Sequence, residues 1–240
     1  MIHRAGTVDS TQDIAHRLAQ EGAGHGTTVV AEAQRLGRGT RGRTWSSGPG
    51  GLWMSVVLRP EPTPAVEGLS VRVGLEVAAA LEPVLPAGRP VLLKWPNDLF
   101  VEDRKLGGIL CEARWTGDRP AWIVVGVGVN VANEVGVDAA AGAVRLADIG
   151  GPSEPAQIEA LVRDAILAAS IRSGPLSPAE LEAFGRRTWL EGRRVEGPVA
   201  GVARGLRPDG CLIVQRGDGT EAAVLGPLAL ADLAPTRRSH

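Results

Sequence analysis

Between residues 91 and 131 the chain packs its strand-like stretches so closely that they can only pair antiparallel. The stretches 91–95 and 98–101, then 105–113, then 121–131, are rich in Val, Leu and Ile, and only a few residues separate one from the next. A parallel crossover consumes a dozen or more residues, so strands this near in sequence must fold back on one another. The polar turn Glu102-Asp103-Arg104 joins the first pair to the third stretch as in a hairpin.

The flanking segments add helices and two further strands. Ser10 followed three residues later by Asp13 resembles a capping box, with Ile14, Ala15, Leu18 and Ala19 as the apolar stripe behind it. Residues 27–31 and 52–58 read as buried strands. Pro60, Pro62 and Pro64 then break the chain, and a helix over 68–82 is stopped by Pro83. Further helices are expected from Pro155 and from Ser177-Pro178-Ala179-Glu180, where serine caps, proline opens and glutamate closes the box. After Trp189 the pattern changes. Short strands at 193–196, 199–206, 211–216 and 220–225, parted by Gly-Pro and Asp-Gly turns, predict a small all-β barrel. The domain boundary is accordingly placed at residue 189, giving domains 1–188 and 189–240.

Aromatic residues are only 3% of the chain, so Val, Leu, Ile and Ala must fill the core. The net charge of -1 gives no general attraction to nucleic acid or to an anionic membrane, and an anion site must be a local cluster. The opening MIHRAGTVDS has no apolar segment of signal-peptide type, and Cys111 and Cys211 stand alone, so a cytoplasmic protein with reduced thiols is expected. Of 26 basic residues only Lys94 and Lys105 are lysine. In so arginine-biased a chain, those two positions are candidates for what a compact ammonium does and a guanidinium does not.

Four segments carry candidate chemistry. Residues 34–51 hold six glycines and four arginines with no helical or strand period. The run Gly37-Arg38-Gly39-Thr40-Arg41-Gly42 formally matches the dinucleotide fingerprint G-x-G-x-x-G. That motif needs a helix to follow, and Trp45-Ser46-Ser47-Gly48-Pro49-Gly50 cannot supply one. An anion-binding loop fits better: glycines bring backbone close to a ligand, and Arg38, Arg41 and Arg43 offer forked donors. Lys94-Trp95-Pro96-Asn97-Asp98 is a rigid corner that brings an amide and a carboxylate to a strand end, although Pro-Asn-Asp is also ordinary turn chemistry. Lys105-Leu106-Gly107-Gly108 puts a lysine at the start of a strand weakened by two glycines, as at the lip of a pocket or at a bulge. In Gly126-Val127-Gly128-Val129-Asn130 two glycines share one face of an apolar strand, clearing space for a slim ligand, with Asn130 at its end.

Taken in order, Ser10-Thr11, Gln34 with the GRG-x-x-GR-x-W loop, KWPND, KLGGIL and GVGVNV resemble the biotin protein ligase family over residues 9–131, and more weakly into the C-terminal barrel. The resemblance implies an α+β fold: a class II synthetase-like catalytic domain around a mixed, mostly antiparallel sheet, followed by a small SH3-like barrel. It also implies an enzyme that uses ATP and Mg2+ to convert biotin into biotinyl-5'-AMP. The biotin then passes to a lysine of a biotin carboxyl carrier domain. The chain starts almost at the first motif, so the ligase-only class without an N-terminal DNA-binding domain is expected. So is a protein without nucleic-acid or membrane partners, a monomer or homodimer.

The resemblance assigns roles residue by residue. Ser10, Thr11, Gln12, Gln34 and Arg38, with loop glycines Gly37 and Gly39, would surround biotin. Gly107, Gly108, Gly126 and Gly128 would line its slot. Arg41, Arg43, Trp45, Asn97, Asp98 and Asn130 would serve the nucleotide, with Asp98 on the magnesium. Lys105 would stand where the biotin carboxylate meets the α-phosphate, and Lys105, Arg43 and Asp98 would form the catalytic set. Two positions depart from the family pattern: Gln12 replaces an asparagine, and Thr40 replaces an arginine that helps retain the adenylate. Two alternatives stay open. A lipoate or octanoyl ligase shares the fold, but KWPND and the arginine loop argue against it. A non-catalytic biotin sensor is disfavoured by the retained Lys105, Asp98 and arginines.

Overall fold

The computed structural model describes residues 1–59, 68–135, 142–226 and 228–230. The proline-rich break at 60–64 lies outside these residues, as does the end of the expected C-terminal domain after residue 230. Seven strands, β1 (Ile2–Val8), β2 (Thr28–Gln34), β3 (Leu52–Leu58), β4 (Val91–Lys94), β5 (Asp98–Val101), β6 (Arg104–Thr116) and β7 (Arg119–Val129), form one sheet. Its order is β1-β2-β3-β7-β6-β5-β4. The β1–β2 pair is parallel and the other pairs are antiparallel, so the sheet is mixed and mostly antiparallel. The closely spaced strands of 91–131 fold back on one another as their spacing requires. Strand β1 has no counterpart in the sequence reasoning. It is a sheet edge with mostly exposed side chains, so it lacks the apolar alternation that marks a buried strand.

The two faces of the sheet have different uses, and strand periodicity assigns residues to them. On one face Leu52, Met54, Val56 and Leu58 of β3 join Val125, Val127 and Val129 of β7 in the main core. Helices α2 (Leu69–Leu81), α3 (Ala156–Ser170) and α4 (Pro178–Arg187) contribute Val73, Val77, Leu81, Ile158, Val162, Ile166 and Phe184 to that core. A fully buried side chain of this size contributes about 1.5–3 kcal/mol. The opposite face is shared between helix α1 (Thr11–Gln20), which packs Ala15 and Ala19 on Val29, Val57 and Val124, and an open cavity.

The helix starts follow their local chemistry. Ser177 and Glu180 form the complete reciprocal box. At α1 the cap is Ser10, whose hydroxyl accepts from the backbone N–H of Gln12. The expected return bond from Asp13 is not the one formed, because Arg38 takes that carboxylate at 2.5 Å.

The C-terminal strands β8 (Arg194–Gly197), β9 (Gly201–Leu206), β10 (Leu212–Gln215), β11 (Glu221–Val224) and β12 (Ala229–Leu230) make an antiparallel sheet in the order β11-β10-β9-β8-β12. Its inner residues Val195, Ala203, Leu206, Leu212, Val214 and Val224 belong to the same core cluster as the large sheet. The Trp95 indole N–H donates to Gly210 O at 2.9 Å across this junction. The tryptophan of KWPND is therefore a buried dowel between the two sheets, with no open face to offer a ligand.

Candidate active site

The cavity on the α1 face has a volume of about 450 Å³ and collects most of the candidate residues. Ser10, Thr11, Gln12, Gln34, Arg38, Gly39, Arg43 and Trp45 line it from the N-terminal half. Asn97, Asp98, Lys105, Gly108, Gly126, Gly128 and Asn130 line it from the central strands. Gly37, Arg41 and Gly107 do not line it. Gly37 is packed against Ser47 and the Trp45 backbone. Arg41 is exposed in a left-handed conformation at φ 62. Gly107 faces the other way: a Cβ there would lie 2.6 Å from the backbone oxygen of Gly128.

The glycines explain the shape. In the β6–β7 register Gly108 pairs with Gly128 and Leu110 with Gly126, so three missing side chains lie side by side on the cavity face. A Cβ at Gly108 would sit 3.3 Å from the Trp45 ring, one at Gly128 2.9 Å from its Nε1, and one at Gly126 3.0 Å from Gln12 Oε1. The cleared strip admits the Trp45 indole and the Gln12 amide as well as a ligand.

At the Gly108 level the Lys105 ammonium pairs with Asp98 Oδ1 at 2.7 Å and lies 4.8 Å from the centre of the Trp45 ring. Such cation–π contacts hold a partly desolvated ammonium in place. Asn97 donates to Ile109 O at 2.8 Å and Asn130 to Lys105 O at 3.4 Å, which ties both amides to β6. The other lysine, Lys94, lies outside the cavity lining, 5.2 Å from the Phe100 ring and 5.1 Å from that of Trp189. Burial there pushes its ammonium below the usual lysine range.

One register step along the strands, about 7 Å away, the polar end is built differently. Thr11 donates its backbone N–H to Gln34 Oε1 at 2.8 Å and its hydroxyl to the same oxygen at 3.0 Å, while Ser55 donates to Thr11 Oγ1 at 2.8 Å. Gln34 in turn donates to Ser47 Oγ at 2.9 Å. The loop closes on itself through Gly39 N to Arg43 O and Trp45 N to Gly37 O, both 2.8 Å. Its arginines are not equivalent. Arg38 is held by Asp13 and, at 3.1 Å, by Glu112, whereas among the described residues the Arg43 side chain bonds only Thr40, within the loop.

Among the described residues, four buried side-chain polar atoms lack a partner, and three line this cavity: the acceptor Gln12 Oε1 and the donors Arg38 Nε and Trp45 Nε1. A buried polar atom without a partner costs roughly 1–3 kcal/mol, so a pocket that keeps three is organised for a ligand that satisfies them. Sequence reasoning missed three residues behind this end. Glu112 accepts from Gln12, His16 and Arg38, and His16 accepts from Trp122. The available signal was thin: a glutamate two places beyond Leu110 on the cavity face of β6, and a histidine one helical turn after Gln12.

The chain is similar to known proteins in sequence and in fold. The profile of the biotin/lipoate A/B protein ligase family matches residues 5–130. The bifunctional ligase/repressor BirA of Bacillus spizizenii is 40% identical over 126 residues, which are 52% of this chain and 38% of that protein. The matched segment thus spans well under half of that relative. The biotin–[acetyl-CoA-carboxylase] ligase of Paracoccus denitrificans is 36% identical over 125 residues, 52% of each chain. Among solved structures, the biotin protein ligase from Aquifex aeolicus in complex with biotin and ATP superposes with a TM-score of 0.79 at 28% identity, covering 95% of this chain and 97% of that one. The Leishmania major enzyme with biotinyl-5-AMP superposes at 0.66 and 27% identity, over 94% and 98%.

Proposed function

The chain belongs to the biotin/lipoate A/B protein ligase family, and from that premise we propose that it is a biotin protein ligase. It activates biotin with ATP to biotinyl-5'-AMP and transfers the biotin to a lysine of a carboxyl carrier domain. One observation carries the reading: a glycine-floored cavity holds an unpartnered acceptor, Gln12 Oε1, and an unpartnered donor, Arg38 Nε, at one end, and a paired ammonium beside the Trp45 ring one register step, about 7 Å, further along. A cyclic urea has N–H donors and a carbonyl acceptor to satisfy the first set. A short aliphatic chain reaches from there to the ammonium with its carboxylate.

The chemistry needs positive charge where two anions meet. A carboxylate oxygen attacks the α-phosphorus of ATP, the α–β bridging bond breaks, and pyrophosphate leaves. Lys105 neutralises the approaching carboxylate and the phosphate together, held for that task by Asp98 and the Trp45 face. Arg43, whose side chain bonds only its own loop among the described residues, is available to the phosphates. Asn97, Asn130 and Trp45 serve the nucleotide. In the second step the deprotonated acceptor lysine attacks the carbonyl of the mixed anhydride and AMP departs.

Magnesium fits this site only in company with ATP. Asp98 and Glu134 are the carboxylates that line the cavity, and no group of three His, Cys, Asp or Glu residues occurs among the described residues. Mg2+ is commonly held by one or two carboxylates plus substrate phosphates. Asp98 would hold it, and the ion would neutralise phosphate charge.

The test is incubation with biotin, MgATP and a carboxyl carrier domain, followed by a streptavidin blot, with lipoate supplied in a parallel reaction. ATP-dependent biotinylation of the carrier is expected. Lipoylation without biotinylation, or biotin binding without transfer, would replace the reading with the lipoate ligase or the sensor.

A further inference from the structure

Behind Gln12 stands a hydrogen-bonded relay that the chemical steps do not use. The Trp122 indole, a donor only, gives its N–H to His16 Nδ1 at 3.0 Å. His16 Nδ1 is therefore the acceptor, and Nε2 carries the proton that faces Glu112 Oε2 at 3.1 Å. The same oxygen receives Gln12 Nε2 and Arg38 Nη2, each at 3.1 Å. Three donors from α1 and the glycine loop thus converge on one carboxylate oxygen of β6. The His16 bond first, and then the Arg38 charge, hold the Glu112 carboxyl below the usual range against the opposing effect of burial.

An ionised carboxylate only accepts hydrogen bonds. Whatever atom of the Gln12 amide faces Glu112 must therefore be its NH2, and the second acceptor on that side, Leu110 O at 3.5 Å, imposes the same choice. The amide oxygen is forced to the other side. There it is buried and unpartnered, over the position where Gly126 lacks a side chain. Gln12 itself is 4% exposed, so water does not set its orientation.

We propose that Glu112 is a positioning residue. With His16 and Trp122 behind it, it fixes the polarity of the Gln12 amide and so makes the cavity select ligands that present a ring N–H. The inference rests on the biotin ligase reading above. A neutral amide at position 112 removes the constraint, since it can donate to Gln12 and let that amide turn its NH2 toward the ligand.

The experiment crosses a protein change with a ligand change. Calorimetric dissociation constants are measured for biotin and for biotin methylated on each ring nitrogen in turn, with wild type, Glu112→Gln and His16→Phe. Wild type is expected to lose roughly 10- to 100-fold on methylation of the nitrogen that meets Gln12, the range for a hydrogen bond to a well-placed group. Glu112→Gln should lose a similar factor toward biotin and show little further loss toward that methylated ligand. His16→Phe should move the same way by a smaller factor, and it stands in if the first variant does not fold. A merely structural role would weaken all ligands equally. Equal losses, or no loss in either variant, overturn the relay while leaving biotin ligation intact. Failure of the wild type to bind biotin at all overturns the parent reading and the relay with it.

Discussion

The two adjacent glycines of KLGGIL should respond to the same substitution in opposite ways. Gly108 faces the cavity, where an added Cβ would meet the Trp45 ring at 3.3 Å and Asp98 Oδ1 at 3.5 Å. The first contact is tight, yet Trp45 sits on a loop and is only half-buried, so a shift of a few tenths of an ångström relieves it. Gly108→Ala should therefore fold with near-normal stability and intrude on the ligand. Overpacking a fitted site costs about 1–3 kcal/mol, which converts to roughly 5- to 150-fold in dissociation constant. Gly107 points the other way, and its Cβ would lie 2.6 Å from Gly128 O, a backbone atom in the paired strand. No side chain can swing aside there, so the β6–β7 pairing must move. A cost of about 1–3 kcal/mol lowers Tm by ~2–12 °C in a chain of this size. Scanning calorimetry gives the first quantity and biotin titration the second. A Gly108→Ala protein that binds biotin and MgATP like wild type, or a Gly107→Ala protein that melts like wild type, would refute the assignment of faces.

Thr40 lines the cavity, where an arginine would add a forked donor for phosphate, so Thr40→Arg should slow escape of the adenylate. Trapping of released biotinyl-AMP measures this, and an unchanged or faster off-rate counts against the role. Burial raises the Glu180 pKa, but Arg72 and the Ser177 bonds outweigh it and hold the carboxyl at about 2, against an ordinary value of 4.5. A depressed carboxylate stabilises the fold above its unfolded pKa and loses that contribution as the pH falls from 4.5 toward 2, here on the order of 3 kcal/mol. Urea unfolding of wild type and Glu180→Gln should show a stability gap at pH 6 that shrinks by pH 2.5; a pH-independent gap contradicts it. Ser177→Ala removes one half of the reciprocal cap and should cost about 1 kcal/mol. Chemical denaturation checks this, and no loss would mean that α4 is held by packing alone.

Local chemistry was legible wherever it was self-contained. The Ser177–Glu180 box lies within four residues, and strand period alone put Gly126 and Gly128 on one face. Register was not legible. KLGGIL shows two glycines, and only the pairing of Gly108 with Gly128 says which one opens to the cavity. Strand β1 escaped notice because an exposed edge carries little hydrophobic signal. The Glu112 relay joins residues 96 to 106 positions apart, so no window of sequence contains it. Asp13 illustrates competition between levels: the local capping signal was correct for Ser10, but a distant arginine claimed the carboxylate.

The ammonium of Lys105 is the group on which the proposed chemistry turns, and biotin-dependent exchange of pyrophosphate into ATP reports on it before any carrier is involved. Wild type should catalyse the exchange, and Lys105→Ala should lower its rate by roughly 10²–10³, the scale for one preorganised charged donor. Near-normal exchange in that variant would contradict the account.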